Sequence, residues 1–212
     1  MEMQAPFEVI TPTLDGDVLA VLALADASFT VGQLSRMISA SREGLRKVVR
    51  RLASQGIVTG EQHGPVTSYR LNRAHLAADP VIAIARLRST FLARLEEAFA
   101  SWPVAPTYAA VFGSAGRGAM TVLSDIDILV VRPEATSDPV WEEQVVSLSQ
   151  SVTAWTGNDA RFLEYSAEEL DSERPEPVLL DVVAEGLTVY GSPSWLRKQM
   201  KRKGRGVIDG HS

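Results

Sequence analysis

The sequence predicts a mixed α+β and α/β chain of two domains, on three observations. Helical periodicities over residues 14–55 lead into a two-strand hairpin pattern. A long helical run at 80–102 then stops at the proline-rich stretch Pro103-Val-Ala-Pro106, and beyond it strand-like segments alternate with helical ones. At 212 residues each half is long enough to bury a core of its own. The expected division is 1–78 for the first domain, 79–104 for a connecting helix and linker, 105–192 for the second domain and 193–212 for a basic C-terminal tail.

The first helix is expected over Leu14–Ala25, with Asp15 as its N-cap. The second starts at Thr30, where Gln33 lies three residues on, the spacing of a capping box. After the turn Ser39-Ala40-Ser41 comes a third helix over residues 42–55. It carries Leu45, Val48, Val49 and Leu52 on one face and basic residues on the others, and Gly56 stops it. Ile57–Gln62 and Thr67–Asn72 read as strands joined by His63-Gly64-Pro65. In the second half the expected order is a strand at 107–112, a glycine-rich turn, a strand at 125–132, a helix at about 138–155 and a strand at 160–165. A helix from 166, another near 176–184 and a last strand at 187–190 follow.

Composition narrows the classes of function. Hydrophobic residues at 45% and charged residues at 22% are those of a globular chain, which sets aside disorder and fibrous designs. No window approaches the ~18 apolar residues of a membrane span, and the first residues lack the basic and apolar regions of a signal peptide, so a cytoplasmic protein without membrane partners is expected. With no cysteine, disulfides and thiolate metal sites are excluded, and a metal would have to be held by oxygen or histidine. The formal net charge of −5 argues against nucleic-acid binding by the whole surface. Two basic clusters stand apart from it: Arg42, Arg46, Lys47, Arg50 and Arg51, and Arg197, Lys198, Lys201, Arg202, Lys203 and Arg205.

Three helices followed by a hairpin resemble a winged helix-turn-helix domain over roughly residues 14–73. The resemblance makes 42–55 the recognition helix and residues around 61–68 the wing. It implies DNA as a partner, with Arg42, Arg46, Lys47 and Arg50 contacting phosphates or base edges. The C-terminal basic run reads as a flexible charged tail.

The segment that carries chemistry is Gly113-Ser-Ala-Gly-Arg-Gly-Ala-Met-Thr-Val-Leu-Ser-Asp125-Ile-Asp127-Ile-Leu-Val-Val. Side chains alternate along a strand, so Asp125 and Asp127 share a face with Cα atoms ~6.5–7 Å apart, while Ile126 and Ile128 turn to a core. Two carboxylates so close repel unless a cation lies between them, and hard oxygen ligands suit magnesium bound together with phosphates. Gly113 and Ser114 end an apolar strand, where backbone N–H groups and a hydroxyl can hold triphosphate oxygens.

This stretch resembles the signature of the DNA polymerase β-like nucleotidyltransferase superfamily, in particular its minimal branch: Gly-Ser, then Arg-Gly, then Ser-Asp-x-Asp before an apolar strand. Gly113, Ser114, Arg117, Gly118, Ser124, Asp125 and Asp127 match by type and spacing; Gly116 stands where many members have alanine. Residues 178–191 resemble the family's closing helix and strand, so the likeness spans about 105–191. It implies a mixed sheet flanked by helices and transfer of a nucleoside monophosphate from an NTP, ATP among them, to a hydroxyl. It also implies two Mg²⁺ ions on Asp125 and Asp127, and nucleotide contacts from Gly113, Ser114, Arg117 and Ser124.

A third carboxylate on a neighbouring strand usually completes such a site. Glu164 and Asp159 are the candidates and fall on opposite faces of a regular strand. Glu164 is preferred as the third catalytic residue because it lies within the strand, whereas Asp159 adjoins the Gly157-Asn158 turn. The acceptor is expected to be a hydroxyl of a protein or nucleic acid, and the resemblance extends to nucleotidylating antitoxins and antibiotic-modifying enzymes. The rival expectation is a transcriptional regulator in which this domain senses nucleotide. A homodimer through the 80–102 helix stays open beside a monomer.

Overall fold

The computed structural model describes residues 1–133, 138–171 and 176–201. The chain divides into two units, one spanning Glu2–Ser89 and the other made of Met1 and the residues from Thr90 onward.

In the first unit, α1 (Leu14–Leu24), α2 (Val31–Ile38) and α3 (Arg42–Ser54) surround a core of Val18, Leu22, Leu34, Leu45, Val49 and Leu52. Local chemistry sets their starts. Thr30 and Gln33 close a reciprocal capping box, the Thr30 N–H donating to Gln33 Oε1 at 2.8 Å and the Gln33 N–H to Thr30 Oγ1 at 3.3 Å. Ser41 caps α3 by accepting from the Gly44 N–H at 3.1 Å. The expected cap at Asp15 is corrected: Thr13 precedes α1 without a side-chain capping bond, and Asp15 lies in the first turn, paired with Arg51 of α3.

The hairpin forms from β2 (Val58–His63) and β3 (Val66–Leu71). A two-residue strand that the sequence pattern did not reveal, β1 (Phe29–Thr30), completes an antiparallel sheet of order β1-β3-β2.

The single helix expected over 80–102 is two: α4 (Ala78–Ala85) and α5 (Leu87–Ser101). Arg86 between them leaves helical geometry at φ −94°, ψ 8°. The unbroken apolar period hid this break, because the pattern reports which residues are buried and not whether the backbone stays regular through them.

In the second unit a mixed sheet has the order β6-β5-β4-β7, made of β4 (Tyr108–Phe112), β5 (Ile126–Arg132), β6 (Ala160–Ser166) and β7 (Leu187–Tyr190). β5 runs antiparallel to β4 and parallel to β6, and β4 runs antiparallel to β7. Between β4 and β5 lies a short helix, α6 (Gly113–Arg117). The parallel crossover from β5 to β6 is made by α7 (Asp138–Thr156), while α8 (Pro177–Glu185) precedes β7.

β5 is apolar on both faces because helices cover both: Ile128, Leu129, Val130 and Val131 are fully buried. Tyr108, Ala110, Leu129, Val131 and Tyr165 pack with Leu179 and Val182 of α8. The helix expected from 166 is instead a 3-10 turn at Glu169–Asp171.

The expected flexible tail is corrected over its first part, where Pro193–Lys201 forms α9. Its Leu196 is buried in the core, Trp195 stacks on Tyr108 at 5.8 Å, and the Arg197 guanidinium donates to Val183 O. Polar residues outnumber apolar ones in this run, and a few well-placed apolar groups suffice to dock it. Arg202, Lys203 and Arg205 lie outside the described residues.

Replacing Leu129 by alanine is expected to cost ~2–5 kcal/mol, since a close-packed site cannot collapse around the loss. Thr30→Ala, which removes a cap, should cost about 1 kcal/mol. Urea denaturation followed by far-UV circular dichroism measures both.

Candidate active site

The site is assembled by the antiparallel pairing of β4 with β5. Phe112, the last residue of β4, lies opposite Asp127, so the chain leaves β4 beside that carboxylate. The next residue is Gly113, at φ +63°; a Cβ there would lie 2.5 Å from Asp127 Oδ2. Both the left-handed conformation and the missing side chain are therefore required, and they bring backbone against the carboxylate. The glycine-rich turn expected after β4 is α6, whose next residue is Ser114 and which ends on Gly118 in the left-handed region. Gly116, where alanine is common in the resembling family, packs tightly: a Cβ would meet Glu185 O at 3.2 Å and Val111 O at 3.3 Å.

From α6 the chain loops back to β5 through residues 119–125. Thr121 donates its N–H to Ser124 Oγ at 2.9 Å, and Ser124 returns its own N–H to Thr121 O at 3.0 Å. The buried Asn158 amide donates to Ser124 O at 2.9 Å and to Val122 O at 3.4 Å. The Ile126 N–H donates to Asp159 O at 2.8 Å. These bonds hold the segment carrying Asp125. Asn158 is thus a positioning residue that the sequence reading missed. A buried amide bonded to a loop's carbonyls leaves no periodic signal.

Asp125 and Asp127 are half-buried. Burial pushes the Asp127 carboxyl above its ordinary range, the neighbouring Asp125 charge pushes in the same direction, and Arg161 and Arg117 oppose them. Arg117 of the signature forms an ion pair with Glu185 of α8 at 3.2 Å, tying α6 to that helix.

The third carboxylate is where expectation and structure part. Glu164 pairs in register with Val130, so it lies on the sheet face opposite Asp127. There its carboxylate accepts the Trp141 indole N–H at 2.6 Å. Glu164 is therefore corrected from a catalytic candidate to a residue anchoring α7 on β6. The register partner of Asp127 on β6 is Arg161, whose guanidinium lies 2.8 Å from Asp125 Oδ2. No group of three or more Asp, Glu, His or Cys side chains suited to a metal occurs among the described residues. Two half-buried carboxylates on one face are a hard-oxygen donor set whose chemistry suits a divalent cation bound together with phosphates and water.

Residues 92–205, just over half of the chain, match the family model for the nucleotidyltransferase domain. The chain belongs to that family. No curated protein matches its sequence significantly. Among solved structures it is similar to a toxin–antitoxin with AMP-PNP, at 16% identity and a TM-score of 0.40, covering 53% of this chain and 82% of that one. It is similar also to the toxin–antitoxin MntA–HepT, at 15% identity and a TM-score of 0.36, covering 54% and 82%. A third is the tri-AMPylated Shewanella oneidensis HEPN toxin in complex with MNT antitoxin, at 13% identity and a TM-score of 0.36, covering 55% and 82%.

Two outcomes follow. Gly113→Ala should lower stability by roughly 1–2 kcal/mol from the left-handed backbone alone, read as a shift in the urea midpoint. Asp127→Asn should melt higher than wild type at neutral pH in metal-free buffer. A carboxyl whose folded pKa is raised favours the fold below its unfolded pKa and progressively loses that advantage as pH rises through the folded value. The difference in melting temperature should shrink as pH falls below the ordinary carboxylate range.

Proposed function

We propose that the second unit transfers a nucleoside monophosphate from an NTP to a hydroxyl of a protein or nucleic acid, with magnesium. The observation that carries this reading is the seating of the Gly113 backbone against the Asp127 carboxylate, beside Asp125. In the reaction the acceptor oxygen bonds to the α-phosphorus, the bond from that phosphorus to the bridging oxygen of the β-phosphate breaks, and pyrophosphate leaves. Asp125 and Asp127 would hold magnesium, which supplies neutralisation of phosphate charge and alignment of the reacting oxygens. The protein's share is positioning: Gly113 and Ser114 offer backbone and hydroxyl donors, while the Thr121–Ser124 and Asn158 bonds fix the aspartate-bearing loop.

The first unit belongs to the same proposal as a winged-helix DNA-binding module. Supporting it are the order of α1, α2, α3 and hairpin, and the exposure of Arg42, Arg46, Lys47 and Arg50 on α3. Arg46 and Lys47 contact Glu43 only at 3.8 and 3.9 Å on the surface, pairs worth little and readily exchanged for phosphates. Arg51 is the member of this cluster committed elsewhere, to Asp15. A chain that joins a DNA reader to a transferase fits a cytoplasmic toxin-neutralising or stress-related role. A second reading, a regulator whose transferase domain only senses nucleotide, is favoured by one observation: the β6 side chain that reaches the aspartates is Arg161 and not Glu164.

The test is incubation with each α-labelled NTP, magnesium and cell lysate. Wild type is expected to label a macromolecule and Asp125→Asn/Asp127→Asn to lose at least ~100-fold of that transfer, on the scale of removing transition-state charge stabilisation. NTP binding without transfer selects the sensor. For the first unit, Arg42→Ala/Arg50→Ala should weaken binding to duplex DNA irrespective of sequence and reduce the slope of log K against log salt by about 2, read by fluorescence anisotropy.

A further inference from the structure

On β6, the residue paired in register with Asp127 is an arginine. Parallel register partners share a sheet face, so Arg161 rises beside Asp127, and its guanidinium reaches Asp125 at 2.8 Å. Asp125, Asp127 and Arg161 carry a formal sum of −1, and Arg117, which also acts on Asp127, is balanced by its ion pair with Glu185. A third carboxylate in place of Arg161 would make the sum −3, a charge that calls for two divalent cations. The side chain of Arg161 is 70% exposed against 28% for Asp125, so the guanidinium is not locked into the sheet and can re-aim without unpacking a core. Its planar fork of donors matches phosphate oxygens as well as carboxylate ones.

We propose that this is a one-metal nucleotide site in which Arg161 supplies the second positive charge. When a nucleotide binds with one divalent ion on Asp125 and Asp127, the Arg161 guanidinium leaves Asp125 and takes phosphate oxygens of the NTP. Without nucleotide it serves as counter-ion to Asp125, relieving the repulsion between the two aspartates. The inference rests on the nucleotidyltransferase reading of the site and specifies how that site carries the charge of its substrate.

The experiment is equilibrium dialysis of the full chain against Mn²⁺ and a non-hydrolysable ATP analogue, counting Mn²⁺ per bound nucleotide. It is repeated for Arg161→Ala, Arg161→Gln and Arg161→Lys, with thermal melts to confirm folding. Expected are one Mn²⁺ per nucleotide in wild type, nucleotide affinity about tenfold or more weaker in the alanine and glutamine variants, and an intermediate value for lysine. Two Mn²⁺ per nucleotide in wild type, or undiminished affinity in both neutral variants, would overturn the one-metal site while leaving a nucleotide-binding domain intact. No nucleotide binding by wild type would overturn the functional proposal itself and this one with it.

Discussion

The site depends on the pairing of β4 with β5, which sets Phe112 opposite Asp127 and so makes the chain leave the sheet against a carboxylate. Only a residue without a side chain fits there. The energetic consequence is a conflict built into the fold: the backbone is brought to a half-buried acid whose neighbour is another acid, and Asp127 holds its proton more tightly than an ordinary carboxyl. A fold selected for stability alone would place an amide or an apolar residue there. Two acids kept side by side in an otherwise well-packed sheet lower stability, the kind of local cost that folds carry where a site is tuned for something other than stability.

Charge around that point is distributed by the sheet's register. The parallel pairing of β5 with β6 sends alternate residues of β6 to the two faces, which gives Arg161 to the aspartates and Glu164 to α7. One strand thereby separates two tasks, electrostatic compensation on one face and helix anchoring on the other. Arg117, which the signature suggests as a nucleotide contact, is shared with Glu185 and braces α6 against α8. Together with Gly116, whose lack of a side chain lets α6 approach the end of α8, it shows the signature specifying the posture of a loop.

Much of this was legible in the sequence. The strands around the signature, the capping box at Thr30 and the pairing of Gly-Ser with Asp-x-Asp all rest on short-range chemistry, which single residues and fixed spacings report well. What was not legible has physical reasons, and three departures show them. Position within the strand favours Glu164 over Asp159, but which face a β6 residue occupies relative to Asp127 depends on the register of a parallel pair, and the two strands are separated in sequence by the whole of α7. The break at Arg86 is a local backbone departure inside an unbroken apolar period. The docking of α9 turns on Leu196 and Trp195 in a run dominated by polar residues, so charge masked the burial.

On the proposed reading, the Asp125 and Asp127 face, with the Gly113–Ser114 backbone, receives a nucleoside triphosphate. A crystal structure of the chain with a non-hydrolysable NTP analogue and manganese, located by anomalous scattering, tests it most directly. Triphosphate oxygens against Gly113 and Ser114 and manganese density on Asp125 and Asp127 are expected; a nucleotide bound elsewhere on the chain, with Asp125 still paired to Arg161, would overturn that reading.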